Sequence, residues 1–377
     1  MKSLSKIGFW PQKNNLKNKK CPCGSAKKFK HCCFRKKELD VHEITEVFKR
    51  NASKRVCLVP EELSYECEGR CSSHSVSKKS VLNTITENGH LQSIKNDVYS
   101  NEGIFVDRIG INKASTFNGF CAKHDNDLFK RIDDFQHELD RESIFFFSYR
   151  TICMEYFKKA AQVEALKELK NKSGQVQKQI FKTKLDYENV AMRDIKKEKV
   201  MYDQNLLSQS YNSIDTLEIA FDNILPIVAS TSLFPYYDLD LNLLQDPDDL
   251  DTEMQMFNVN VINKENKGYL IFTSQSKNVI CNKFYNSLLN KDINLAFVLN
   301  FLFEYTENIF LSPVFWENQS QELKDIFIDK FRYSLKPLPN YIKDLKESEL
   351  LRAQILFEHI DLKGIIPLCE NIKLVKG

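Results

Sequence analysis

Four cysteines fall in two tight pairs within thirteen residues, Cys21-Pro22-Cys23 and Cys32-Cys33. Two short chelating pairs of thiols are the ligand set of a four-coordinate zinc ion, and four thiolates close the tetrahedron, so the site is structural and has no open position for a substrate. Pro22 stiffens the first pair and Gly24 permits a tight turn after it. Ser25 is the expected N-cap of a short helix over 27–34 that presents Cys32 and Cys33 to the metal. A second group of ligand-type residues lies further on. Cys67-Glu68-Gly69-Arg70-Cys71 is a Cys-x3-Cys pair with a glycine inside, and Cys121-Ala122-Lys123-His124 is a Cys-x2-His pair opening a predicted helix through Leu128, Phe129 and Ile132. One pair in a knuckle and one at a helix start is the layout of a treble clef, which predicts a second zinc on Cys67, Cys71, Cys121 and His124.

The remaining candidates are weaker. Cys57, Cys153, Cys281 and Cys369 stand singly and read as small buried hydrophobes. His31, His42, His137 and His359 have no ligand-spaced partner, and His90 follows the Asn88-Gly89 turn signal. Seven acidic residues between Tyr236 and Glu253 lack the spacing and central glycine of a calcium loop. No phosphate-cradling glycine loop, nucleophile elbow or metalloprotease helix is present, which argues against nucleotide-driven chemistry.

The stretch from Lys20 to Phe34, with Cys21-x-Cys23, an eight-residue spacer, Cys32-Cys33, and Gly24-Ser25 and Lys27-Lys28-Phe29-Lys30 between, resembles the SEC-C motif. That motif stands at one end of the preprotein-translocase motor ATPase and is appended to many unrelated proteins. The resemblance implies zinc on Cys21, Cys23, Cys32 and Cys33 and a recognition appendage for proteins or ribosomes; Ala26 departs from the glycine common there. A second resemblance spans Cys67 to Ile132, where His74 shortly after a cysteine pair and Asn118-x-x-Cys121-x2-His124-Asp125 are similar to the ββα-metal core of HNH nucleases. It implies His74 as the base that activates water, Asn118 as its orienting residue, and His124 or Asp125 as ligand to a catalytic Mg²⁺ or Mn²⁺. Ser73 stands before His74 where that family has Asp or His.

Of 377 residues, 42% are hydrophobic and 28% charged, the balance of a soluble globular chain with room for two or three cores. No apolar run approaches the ~20 residues that span a bilayer, and the start of the chain lacks the apolar core of a signal peptide, so the expected compartment is the cytoplasm, with no membrane partner. There, eleven cysteines read as ligands and reduced thiols. The net charge of +3 conceals an asymmetry: residues 1–37 hold twelve Lys or Arg and no acid, which leaves −9 on the rest. Such an arm attracts nucleic acid, ribosome or acidic protein, or is a solvated tail that keeps the knuckle soluble.

Those sites must be positioned by a mostly helical α+β chain. The expected order is a basic tail, SEC-C knuckle and connecting helix over 1–50, a treble-clef or HNH-like zinc region over 56–140, a long helical hairpin over 143–225, and an α+β region over 226–377. Residues 175–225 contain neither Gly nor Pro, so the second helix is expected to run on to Pro226. The hairpin could space domains, mediate homo-oligomers or pack a core. After it come a buried strand over 227–234, a β-hairpin over 254–276 turning at Asn266-Lys267-Gly268, and helices over 283–331 broken at Ser312-Pro313. Two functions from different classes emerge: a zinc-binding recognition or adaptor protein, and a metal-dependent endonuclease centred on His74, Asn118 and Asp125.

Overall fold

The computed structural model describes residues 17–21, 25–34, 36–70, 72–96, 103–134, 136–289, 291–334 and 375–376. Cys23, Cys71, His359, Cys369 and the tail after Pro337, save residues 375–376, lie outside them. The chain divides into two compact units: Met1–Arg55 with Tyr156–Lys196, and Val56–Glu155 with Lys197–Gly377.

In the first unit, helix α1 (Val41–Ala52) starts at a capping box. Asp40 accepts from the Glu43 amide at 2.8 Å, and Glu43 accepts from the Asp40 amide at 3.0 Å. Its apolar positions Ile44, Val47 and Phe48, spaced three or four apart, pack with Leu39 against Val163, Leu166, Leu169, Phe181 and Leu185. These come from helices α3 (Arg141–Lys172) and α4 (Gln175–Leu207), joined at Ser173-Gly174. Both run on into the second unit. Gly174 has no Cβ for a spatial reason: one would stand 2.4 Å from the Glu38 carboxylate. That carboxylate accepts from the Val176 and Gln177 amides at 3.1 Å each and so caps α4.

Among the described residues the second unit holds two antiparallel sheets. The small one pairs β1 (Ser73–His74) with β4 (Thr116–Phe117), directly before helix α2 (Ala122–Asp134). The segment between β1 and β4 carries the hairpin β2 (His90–Asn96) and β3 (Ile104–Gly110). The other strands are β5 (Ile214–Phe221), β6 (Ile227–Leu233), β7 (Phe257–Lys264), β8 (Lys267–Gln275), β9 (Ile309–Leu311) and β10 (Val375–Lys376). They form one sheet with β2 and β3 in the order β10-β5-β8-β7-β6-β9-β2-β3. One face carries Leu217, Ile219, Phe257, Val259, Leu270 and Phe272, buried with the apolar sides of α5 (Val279–Leu288), α6 (Leu295–Tyr305), α7 (Pro313–Glu317) and α8 (Gln321–Ser334). The alternate residues meet α3 and α4 through polar pairs: Ser148 with Thr273 at 2.7 Å, Thr151 with Ser230 at 2.8 Å and Asn260 at 3.0 Å, and Tyr202 with Asn258 at 2.9 Å. Helices and an antiparallel sheet together make the chain α+β.

Three expectations need correction. Helix α4 stops at Leu207, and β5 occupies the end of the stretch read as helix. Its alternation of buried Leu217, Ile219 and Phe221 fills one face of a sheet, a tertiary demand that overrides the absence of Gly and Pro. The helical stretch over 283–331 is interrupted by β9, which buries all three of its residues between β6 and β2. The turn between β7 and β8 falls on Glu265 and Asn266, both at positive φ, while Gly268 lies within β8, where a Cβ would stand 2.5 Å from the Leu225 side chain. Among the described residues no helix is long and apolar enough to cross a membrane.

Candidate metal centres

The knuckle is built by two short antiparallel segments. Lys20 and Lys28 bridge, the Cys21 amide donates to Lys27 O at 2.7 Å, and the Phe29 amide donates to Lys19 O at 2.9 Å. Ala26 takes a left-handed φ of 58° in the turn between them, which explains why glycine suits that position. A single 3-10 turn over Phe29–His31, rather than a helix over 27–34, then delivers Cys32 and Cys33. Ser25 caps nothing; its hydroxyl lies 3.1 Å from the Cys32 sulfur. The sulfurs of Cys21, Cys32 and Cys33 lie within 4.8 Å of one another. Around them the core is Phe29, 1% exposed, with Phe34 edge-on at 5.6 Å. So small an apolar cluster cannot hold the turn alone, and the thiols are placed for a metal to do so.

The second centre joins Cys57, Cys67, Cys121 and His124, again with all ligand atoms within 4.8 Å. His124 sits in the first turn of α2 with Nδ1 at 3.2 Å from the Cys121 sulfur, 3.5 Å from Cys57 and 3.6 Å from Cys67, so Nδ1 is the nitrogen facing the site. Burial, then the charge of Lys123, lowers its pKa, the direction that favours the neutral ring ligation requires. Cys57 is brought alongside Cys121 by the backbone: the Val56 and Leu58 amides donate to Asn118 O and Gly119 O at 3.0 and 2.9 Å. A 3-10 segment, Glu61–Glu66, returns the chain to Cys67. Gly69 then passes α2 at a φ of 69°, where a Cβ would stand 2.9 Å from that of Ala122. Burial, then the hydrogen bond and charge of Cys57, push the Cys67 thiol up to about 12. A divalent cation reverses that tendency.

Cys67, Cys121 and His124, three of the four residues expected at this site, thus lie together, and the fourth, Cys71, lies outside the described residues. Cys57, read from the sequence as a lone hydrophobe, is a member of the cluster. Its signal was faint, because nine residues separate it from Cys67 and no short-pair pattern includes it.

The residues of the nuclease reading are His74, Asn118 and Asp125. His74 Nδ1 lies 2.9 Å from the Ala114 carbonyl and 3.3 Å from the Ser115 hydroxyl. A carbonyl only accepts, so Nδ1 carries the proton and Nε2 the lone pair. Burial lowers the pKa of His74, with the charges of Arg150 and Lys78 adding to it. The Asn118 side chain accepts from Ser72 at 3.3 Å. Asp125 faces Arg150 at 3.9 Å, and that arginine, 1% exposed, is bidentate to Asp133 at 2.9 Å for both nitrogens and lies 3.9 Å above the Phe129 ring.

The family model described as the SEC-C motif matches residues 18–35. No curated protein and no solved structure gives a match. The resemblance to HNH nucleases finds no support in these comparisons.

Proposed function

We propose that the chain is a cytoplasmic zinc-binding recognition protein that holds two structural zinc ions and contacts a protein, ribosome or nucleic acid through its SEC-C knuckle. The ligands are Cys21, Cys23, Cys32 and Cys33 at the first site, and Cys57, Cys67, Cys121 and His124 at the second, a treble clef built from the β1–β4 pair and α2. The observation that carries this reading is the coincidence of the SEC-C match with the clustered thiols of Cys21, Cys32 and Cys33. The surface supports it: Cys21, Cys33 and Phe29 are buried while Lys17, Lys19, Lys20, Lys27, Lys28 and Lys30 stay exposed. Six ammonium groups with no acid among residues 1–37 suit a polyanion, and a ribosome or nucleic acid fits best.

Replacing Lys27, Lys28 and Lys30 together by Glu is expected to weaken binding to ribosomes or single-stranded RNA at least ~10-fold at low salt. It should also flatten the salt dependence by roughly one unit of slope for each phosphate that is no longer neutralised. Filter binding across a salt series reads this. Binding that ignores both salt and the triple change would overturn the polyanion reading.

A metal-dependent phosphodiester hydrolase is the second reading, favoured by one observation: His74 presents a lone pair on Nε2, beside a ββα element, in the neutral form a general base needs. With Mg²⁺ or Mn²⁺ added, the chain would then cut DNA or RNA, and His74→Ala would lower the rate by about 10²-fold or more with zinc content unchanged. Cutting at equal rates by that variant sinks this mechanism.

A further inference from the structure

Lys178, in the first turn of α4, directs its ammonium at the knuckle, with Nζ 3.4 Å from the Cys32 sulfur. We propose that Lys178 is an outer-shell positioning residue for the knuckle metal, donating to the Cys32 thiolate and tying that ligand to α4. This rests on the reading that the knuckle holds zinc, which the donor set fits, since soft thiols lie within 4.8 Å of one another.

Charge supports the assignment. Four thiolates leave a zinc site with a net charge of −2, and hydrogen bonds from cationic donors to such sulfurs are the strong kind. The knuckle surroundings are otherwise crowded with lysines, and residues 1–37 hold no carboxylate for another ammonium to approach. Within this basic module the Cys32 sulfur is a thiolate that the Lys178 ammonium reaches, at 3.4 Å. Cys32 is also the least buried of the three clustered cysteines, so it is the ligand open to a donor from a neighbouring helix.

Position supports it independently. Glu38 caps the first turn of α4 through the Val176 and Gln177 amides. The Gln177 side chain closes on the Leu39 backbone in both directions, accepting from its amide at 2.6 Å and donating to its carbonyl at 2.7 Å. The turn that bears Lys178 is thus held against the segment leaving the knuckle, and little ordering remains when the ammonium reaches the sulfur. Ser25, at 3.1 Å, is the local partner of the same atom.

The test uses the full chain loaded with Zn²⁺ or Co²⁺. Lys178→Met keeps helix propensity and length. It is expected to weaken one of the two metal sites about 10- to 100-fold against a chromophoric chelator, and to shift the thiolate-to-cobalt charge-transfer band of that site. Lys178→Arg should restore most of both. Stripping the metal should raise amide exchange over 176–182 in the parent chain and change it little in Lys178→Met. Two bound metals with affinities and cobalt spectrum untouched by Lys178→Met would overturn the inference. One bound metal in the parent chain, spectrally of the mixed sulfur and nitrogen type, would instead overturn the zinc reading of the knuckle.

Discussion

On the two-zinc reading, Cys57→Ser is expected to remove one of the two ions and to destabilise the second unit, whereas Cys71→Ser should leave both in place. The contrast follows from the cluster of Cys57, Cys67, Cys121 and His124, whose ligand atoms already form a complete four-donor set. Losing one thiolate opens the tetrahedron and frees the start of α2 and the turn at Gly69 from their common tether. Structural zinc supplies folding free energy directly, so a loss on the order of several kcal/mol is anticipated. At about 2–4 °C per kcal/mol for a domain this large, the melting temperature should fall by roughly 10 °C. Elemental analysis with thermal unfolding reads both quantities. Retention of both ions by Cys57→Ser, with loss of one on Cys71→Ser, would return the fourth position to Cys71.

Arg150→Met should be comparably damaging for a different reason. The guanidinium is almost fully buried, and its removal leaves the Asp133 carboxylate without its bidentate partner. Breaking a buried pair in this way costs about 3–5 kcal/mol. The sign of its pH dependence is fixed by Asp133. Burial alone would raise that pKa, but the charge and hydrogen bonds of Arg150 outweigh it and hold the carboxyl below its ordinary value. A depressed folded pKa contributes stability that is present above about pH 4, the unfolded value, and lost as pH falls through the folded one. Without Arg150, burial raises the pKa, and protonating Asp133 relieves the folded state. The stability gap between parent and variant should therefore be widest at neutral pH and narrow below about pH 4. Urea unfolding at several pH values measures it, and a gap that stays constant would show that Asp133 is not the group responsible.

What could be read from the chain alone follows from how local each signal is. Cys32 and Cys33, and Cys121 and His124, were singled out as ligand pairs at short spacing, and in each case the structure clusters their ligand atoms. Cys57 was not, since its neighbour in space is set by backbone bonds from Val56 and Leu58 to Asn118 and Gly119, some sixty residues away. The hairpin of β7 and β8 announced itself by alternation around a turn, although the turn sits on Glu265 and Asn266. Strand β5 hid behind α4 because only six residues, Ser208 to Ser213, separate them and they contain neither Gly nor Pro. Strand β9, three residues long, is defined wholly by its neighbours β6 and β2. Ser25 followed a sound capping rule, yet its hydroxyl went to a sulfur, a partner that the rule does not weigh.

The hydroxyl and amide pairs between the large sheet and α3 and α4 bear on which arrangement the second unit can adopt. An aliphatic interface tolerates a helix slid by one turn, about 5.4 Å, because one methyl group replaces another. Here the same slide would part Ser148 from Thr273 and Thr151 from Ser230 and Asn260, stranding buried dipoles whose desolvation costs about 1–3 kcal/mol each. These pairs add little to the depth of the native minimum and much to the height of its competitors. The layer works as a combination lock on helix register: swapping the pairs for well-fitted valines and leucines should yield a protein as stable as the parent but less certain of its own alignment.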